Sequence, residues 1–324
     1  MSFKIGTRAS KMALAQTALV ASRLRDAHDA LRVETVPFKT RGDIDQVSKL
    51  ERHGGKGGAF VAEIREAMKE DTLNAAMHSL KDLPGDEEAP GLVIGAYLPR
   101  ESAGDALVFR PGIDPDSALA SGLAGMKIGT NAVRRAAFAR RLWPDAEIIH
   151  YRGAADTRLR KLDEGALQQR ENEAPVGPAD ALIMAESGLH RVGAAGRIGY
   201  SIPQEKMLPA VGQGVIAVEC LAEDWETRRL LSAINDKPTE ACVLAEREML
   251  WILNGHCNTP IGGHAVIENE TLSLRGVVLS EHGATFIEAS STGDPAHART
   301  IGRTVGLALL NSGAGELIAA SGAS

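Results

Sequence analysis

Two hydrophobic periods alternate along most of the chain. Phe3-Lys4-Ile5 has the two-residue period of a short strand and runs into a turn at Thr7-Arg8. Met12, Leu14, Ala15, Ala18, Leu19 and Leu24 recur at helical spacing behind Ser10, which fits an N-cap. Residues 31–38 alternate again and predict a second strand. A polar, glycine-rich stretch covers 40–58. Phe60, Val61, Ile64, Ala67 and Met68 then predict a helix. Residues 74–80 predict a buried strand ending in Lys81-Asp82-Leu83-Pro84, and residues 92–98 predict another.

The pattern restarts after residue 126. Residues 127–130 predict a strand entering a turn, 133–142 a helix, 147–151 a strand, then a helix carrying Arg158, Lys161 and Leu162, and 181–185 a short apolar strand. Strand–helix alternation predicts parallel sheets built from βαβ units. Both halves open with a strand ending in Gly-Thr, then a basic residue and a helix. The expected fold is therefore α/β: two doubly wound domains of the kind seen in periplasmic binding proteins, facing each other across a cleft. The apolar, glycine-punctuated 207–220 and a helix at 224–235 belong with the first half. Expected domain ranges are 1–98 with 209–234, then 104–203, with a hinge within 99–115. Residues 238–324 predict a small α+β domain: a helix through Met249 and Leu253, a Gly/Cys turn, strands at 265–267, 272–279 and 285–289, and a helix at 296–310.

A length of 324 residues suits two or three such domains. Aromatics at 4% leave few platforms for stacking bases, and a net charge of −6 argues against binding nucleic acid or an acidic membrane. No apolar run reaches the ~18 residues of a membrane span, and Met1 to Ser10 lacks the basic-then-apolar pattern of a secretory leader. The three cysteines, Cys220, Cys242 and Cys257, form no C-x-x-C pair, which argues against a disulfide framework and against zinc. A cytoplasmic protein is expected.

Four features carry candidate chemistry. Arg8, Arg134, Arg135, Arg152 and Arg158 fall at strand ends or in the first turns of helices, the edge that faces the ligand crevice in open α/β sheets. Any one of them fits a solvated surface arginine; five at matching positions favour a polyanionic ligand. His78-Ser79-Leu80-Lys81-Asp82 ends a buried strand. Asp82 fits a general acid/base or a fixed anion facing a developing cation, and fits equally a helix cap or a partner of Lys81; His78 fits a satisfied buried histidine. Gly54-Gly55-Lys56-Gly57-Gly58 lacks the Ser/Thr of a phosphate loop and reads as a lid or a plain surface loop. Cys257 sits in the loop Gly255-His256-Cys257-Asn258-Thr259, whereas Cys220 lies in an apolar run. A metal on His256, Cys257 and His264 lacks a fourth ligand.

The chain resembles the porphobilinogen deaminase (hydroxymethylbilane synthase) family. The resemblance rests on Thr7-Arg8-Ala9-Ser10, Thr40-Arg41-Gly42-Asp43, Gly54-Gly55-Lys56-Gly57, His78-Ser79-Leu80-Lys81-Asp82-Leu83-Pro84, Gly129-Thr130 with Arg134-Arg135, Arg152-Gly153 with Thr157-Arg158-Leu159, Leu208-Pro209-Ala210-Val211-Gly212-Gln213-Gly214 and the loop around Cys257. It implies a transferase of tetrapyrrole synthesis that joins four porphobilinogens into a linear tetrapyrrole on a dipyrromethane cofactor, each substrate losing ammonia to give an azafulvene. It implies a thioether from the cofactor to Cys257, and cofactor contacts from Lys81, Asp82, Thr130, Arg134, Arg135, Gly153 and Arg158. Substrate contacts would come from Arg8, Ser10, Lys56, Arg152 and Gln213. Asp82 would be the catalytic carboxylate, and the chain a monomer. The sequence departs from the family at Asn131-Ala132-Val133, where Ser-Ser-Leu is usual; at Ala154, usually Asn; at His256, usually Gly; at Gly58-Ala59; and in a polar insertion at 168–179. The architecture alone also suits a non-catalytic anion binder, and the changes at Ala132 and Ala154 suit a weakened deaminase.

Overall fold

The computed structural model describes residues 2–38, 61–85, 89–170, 173–255 and 259–321. The first half begins with β1 (Ser2–Arg8), α1 (Lys11–Ala27) and β2 (Arg32–Phe38), and continues with α2 (Ala62–Lys69), β3 (Ala75–Ser79) and β4 (Leu92–Tyr97). The second contains β5 (Asp105–Phe109), α3 (Pro115–Ala120), β6 (Lys127–Gly129), α4 (Val133–Leu142), β7 (Glu147–Ile149), α5 (Ala155–Asp163), β8 (Gln168–Arg170), β9 (Glu173–Val176), β10 (Ala181–Ala185), α6 (Glu186–Arg191) and β11 (Tyr200–Ile202). The chain then returns as β12 (Ile216–Leu221) and α7 (Trp225–Ser232). The C-terminal part is α8 (Lys237–Ile252), β13 (Ile261–Glu268), β14 (Thr271–Leu279), β15 (Phe286–Gly293), α9 (Ala298–Asn311) and α10 (Ala314–Ser321).

Local chemistry sets several of these starts. Ser10 Oγ accepts from Ala13 N at 3.2 Å and caps α1. Asp224 and Asp236 cap α7 and α8 in the same way, with Pro238 in the first turn of α8.

The first sheet has the order β2-β1-β3-β12-β4, and the second β11-β5-β10-β6-β7. Both are parallel at one end: β1 runs parallel to β2 and β3, and β6 parallel to β7 and β10. Each then takes one strand backwards, β12 against β3 and β4, and β5 against β10 and β11. Apolar side chains cover both faces of each sheet. Phe3, Ile5, Val20, Leu24 and Leu231 fill one side of the first, and Ile64, Met68 and Leu73 the other. Leu107, Ile128 and Phe138 fill one side of the second, and Val108, Leu162 and Met184 the other. The molecule thus has two doubly wound α/β lobes. A smaller third unit packs α8 and α9 on the antiparallel sheet β13-β14-β15, around Met249, Leu274, Val305 and Leu309.

The expected hinge over 99–115 is shorter than the sequence suggested. β5 lies inside it, and the passage between sheets is confined to 98–104. All five β5 residues are buried, so the strand shows no alternation to read. Residues 168–179, expected as a polar insertion, include the two-stranded pairing of β8 with β9. β11 and α10 were not visible in the sequence pattern. Among the described residues no helix is long and apolar enough to cross a membrane. Cys220 and Cys242 are buried, which pushes both thiols up to about 11.

Candidate active site

β3 is central in the first sheet, and its apolar residues Ala75, Ala76 and Met77 drive it into the core. At its C-terminal end the chain makes one tight turn, Leu80–Asp82. Leu80 plugs inward, 1% exposed, and Lys81 and Asp82 are carried to the edge of the sheet. There they bound a cleft between the two lobes. Ser79, Lys81 and Asp82 come from the first lobe, Arg135, Arg158 and Arg191 from the second, and Gly212, Gly214 and Val215 from the returning segment.

The cationic wall is organised by an acid that sequence reasoning missed. Asp105, at the start of β5, is fully buried and takes Arg134 Nη2 on Oδ2 at 2.6 Å. Its Oδ1 takes Arg135 Nε at 3.0 Å and Nη2 at 2.8 Å. Burial raises the carboxyl's pKa, but the two guanidinium charges outweigh it and hold the group well below the usual carboxylate range. Arg134 also donates to Leu208 O at 2.7 Å, and Arg135 to Ile183 O and Gln213 Oε1, each at 3.4 Å, so both guanidiniums are tethered inside the protein. Arg135 is the member of the pair that reaches the cleft. The available signal was an aspartate opening the apolar run Ala106 to Phe109, since a buried acid requires partners.

Gln213 joins this cluster to the reactive turn. Its Nε2 donates to Asp105 Oδ1 at 2.9 Å and to Ala103 O at 2.7 Å. Its Oε1 accepts from Lys81 Nζ at 3.2 Å. Gln213, expected as a substrate contact, is buried here and links the two lobes.

Arg158 is in a different state. Its Nε is sealed from solvent and has no hydrogen-bond partner among the described residues. Burial, and next the charge of Arg135, hold its pKa down to about 10, with the Asp82 carboxylate offsetting part of this. A guanidinium held this way favours an incoming anion. Two helix N-termini add to the field. Ala132 stands at the N-cap of α4 and Ala154 at that of α5, and neither supplies a side-chain cap. The unoccupied first-turn N–H groups favour negative charge. Arg135 on α4 and Ala155 on α5 both reach the cleft wall from those first turns.

The other expected residues lie apart from this cavity. Ser10 is engaged in capping α1. Thr130 is buried at the end of β6, where its Oγ1 accepts from Ala132 N at 3.2 Å. Arg8 ends β1 and is half-buried; Arg152 and Gly153 form the turn after β7, with Gly153 at φ +131°. Lys56 and the glycine loop around it, together with His256 and Cys257, lie outside the described residues. Arg191, not anticipated, pairs with Glu101 at 3.0 Å and donates to Gly214 O at 3.1 Å, touching both connecting segments. Nothing in the local sequence marks it; only the helix position after β10 aims it at the cleft.

Two histidines, His78 buried and His264 partly buried, sit in ion-pair clusters outside the cleft. His78 Nε2 meets Glu219 Oε2 at 3.2 Å, and Arg65 grips the same carboxylate with Nε at 3.1 Å and Nη2 at 2.8 Å. His264 Nδ1 lies 2.8 Å from Arg100 Nη1 and 3.6 Å from Glu246 Oε1.

Comparison with known proteins bears on this site as a whole. Residues 3–229 match the family model of the porphobilinogen deaminase dipyrromethane cofactor binding domain, and residues 240–311 match that of the porphobilinogen deaminase C-terminal domain. A porphobilinogen deaminase of Syntrophobacter fumaroxidans is 42% identical, over 97% of this chain and 96% of that protein. One of Roseiflexus sp. is 40% identical, over 90% of this chain and 91% of that protein. Among solved structures, the periplasmic VFT2 domain of Bordetella pertussis BvgS aligns with a TM-score of 0.40 and 15% identity, over 72% of this chain and 86% of that chain. That likeness is too remote to bear on the site.

Proposed function

The chain belongs to the porphobilinogen deaminase family, transferases whose first domain binds a dipyrromethane cofactor, and from that premise we propose which of its residues carry the reaction. Porphobilinogen is the substrate and hydroxymethylbilane the product. The donor set suits a cofactor and substrate that carry several carboxylates: Arg135, the partnerless Nε of Arg158, and two uncapped helix ends converge on one cleft. When bound, the dipyrromethane supplies the pyrrole carbon onto which substrates are joined.

Asp82 does the charge work. Departure of ammonia leaves positive charge on the substrate pyrrole, and a fixed carboxylate in a partly dehydrated cleft stabilises that charge and can take up the proton released on coupling. Arg158 and Arg135 bind pyrrole carboxylates, with Asp105 setting the plane of Arg135. Lys81, steered by Gln213, adds a movable ammonium beside Asp82. Arg8 and Arg152 would bind carboxylates of the growing chain farther out. Thr130, Gly153 and Ser10 shape the turns behind these cations, and Arg134 contributes through Asp105 rather than by direct contact. The resemblance assigns the anchor to Cys257 and the closing contact to Lys56. We place the protein in the cytoplasm as a monomer.

The observation that carries this reading is Asp82 facing Arg135 and Arg158 across one cleft. Intact-mass measurement of the recombinant protein tests it. An adduct of dipyrromethane size is expected on the chain and is expected to vanish in Cys257→Ser. An unmodified chain that leaves porphobilinogen unconsumed would sink the reading.

A further inference from the structure

Tyr151 follows β7 and leads into the Arg152-Gly153 turn; its side chain is 0% exposed. It packs with Ala155 and Leu159 of α5 and Met184 of β10. Ala155 and Met184 also form the cleft wall beside Arg158, so Tyr151 stands one layer behind that wall. The ring is ordinary core. Its hydroxyl is not, because Oη is sealed from solvent with no hydrogen-bond partner among the described residues. Phenylalanine would fill the same space without a stranded polar atom. Arg158 Nε is in the same condition, and the two groups are close enough to act on each other electrostatically. Burial pushes the phenol up to about 12 while the Arg158 charge pulls against it. Buried polar atoms without partners are rare in folded proteins, and each asks for an explanation. Here one is an oxygen able to accept and the other an N–H able to donate.

We propose that Tyr151 is a positioning residue for Arg158: when a pyrrole side-chain carboxylate engages the terminal nitrogens of Arg158, Tyr151 Oη accepts the Nε–H and fixes the guanidinium plane. No covalent bond changes. The pairing leaves the outer edge of the fork free for a bidentate carboxylate. It also explains why a core position behind the cleft carries a hydroxyl. This inference rests on the deaminase reading, and the carboxylate can belong to the substrate or to the cofactor.

Tyr151→Phe tests it, since it removes one oxygen and little else. If the carboxylate is the substrate's, KM for porphobilinogen rises on the order of tenfold, kcat changes less than about twofold, and the adduct remains on every chain. If it is the cofactor's, the adduct-bearing fraction by intact mass falls while the remaining loaded enzyme keeps its KM. In both cases the melting temperature is unchanged or higher, because a stranded hydroxyl has gone. Arg158→Lys supplies no Nε–H at this place, so adding Tyr151→Phe to it should cost nothing further in the affected readout. Wild-type KM and full loading in Tyr151→Phe would overturn the proposal, as would an undiminished effect in the Arg158→Lys background. A wild-type chain with neither adduct nor turnover instead removes the deaminase reading itself.

Discussion

Lys81 donates to Gln213 at 3.2 Å, and this bond ties the reactive turn of the first lobe to the segment returning from the second. The same amide reaches Asp105 at 2.9 Å, so one side chain spans an ammonium and a carboxylate that belong to different lobes. Gln213→Met keeps the volume and removes both bonds. It leaves Asp105 and Lys81 each short of one partner, at about 1–3 kcal/mol for a buried group. The urea midpoint is expected to fall, and KM for porphobilinogen to rise as Lys81 loses its guide. Unchanged values for both would show that the amide is incidental.

Asp82→Asn keeps the shape of the turn and removes its charge. Loss of an electrostatic or acid–base group at the reacting centre is commonly worth ~10²–10⁴ in rate. The variant is expected to carry the adduct, because the proposed anchor is Cys257 and the proposed carboxylate contacts are arginines, yet to consume porphobilinogen at least a hundredfold more slowly. Initial rates paired with intact mass check both halves. Turnover near the wild-type rate would take Asp82 out of the mechanism.

Arg158 is expected to trade stability for binding. Burial and Arg135 disfavour its charge, and its Nε has no partner. In a Cys257→Ser background, expected to hold no cofactor, Arg158→Met should melt at the same temperature or higher. With Cys257 present, the same change should reduce adduct retention and turnover at least tenfold. A fall in melting temperature of the cofactor-free form would mean that Arg158 is structural.

These expectations depend on how unevenly the sequence could be read. Strands and helices with one buried face announced themselves: α4 spans residues 133–142 as the spacing predicts, and α1 is capped by Ser10. β5 is buried on both faces, so its periodicity is silent, and the hinge was drawn too wide across it. The cleft itself was legible as a set of cations at strand ends. What was not legible was their division of labour. Arg134 and Arg135 are adjacent and look equivalent, yet Asp105 holds both, and of the two it is Arg135 that lines the cleft. A helix turns ~100° per residue, so neighbours face different ways, and which way counts is decided by a partner on another strand.

Acid should unfold the protein through two buried carboxylates outside the cleft. For Glu246, burial works to raise the pKa, but Arg100 and then His264 outweigh it and hold it at about 2. For Glu219, burial is likewise overcome, by His78 and Arg65, and the value is again about 2. Both start from an ordinary value of 4.5, so the folded state binds the proton less tightly than the unfolded chain. Their stabilisation is fully present above pH ~5 and is lost as pH falls toward ~2, on the order of 3 kcal/mol each as an upper bound. Glu246→Gln should lower stability at pH 7, and the gap to wild type should narrow by pH 3. Parallel stability–pH curves for the two proteins would refute the assignment.

Gly214 gives the sharpest test of how the lobes are joined. It sits at φ +85°, and a Cβ there would lie 2.5 Å from Glu101 O and 2.9 Å from Ser102 O. The two segments linking the lobes therefore touch backbone to backbone, and Glu101 N donates to Gly214 O at 3.1 Å across that contact. Arg191 clasps the same place through Gly214 O and Glu101. Alanine must adopt an unfavourable φ, at ~1–2 kcal/mol, and must push apart two main chains that have no side-chain slack, at about 1–3 kcal/mol more. Gly214→Ala is expected to lose at least ~2 kcal/mol in urea unfolding. Arg191 and Lys81 line the same cleft as Gly214, so kcat should fall as well. Gly193→Ala is the control: it too has positive φ, at +72°, but a Cβ there meets nothing within 4 Å, so it should show the backbone cost alone and keep kcat. Equal losses of stability and equal rates in the two variants would mean that the close contact between the connecting segments has no bearing on catalysis.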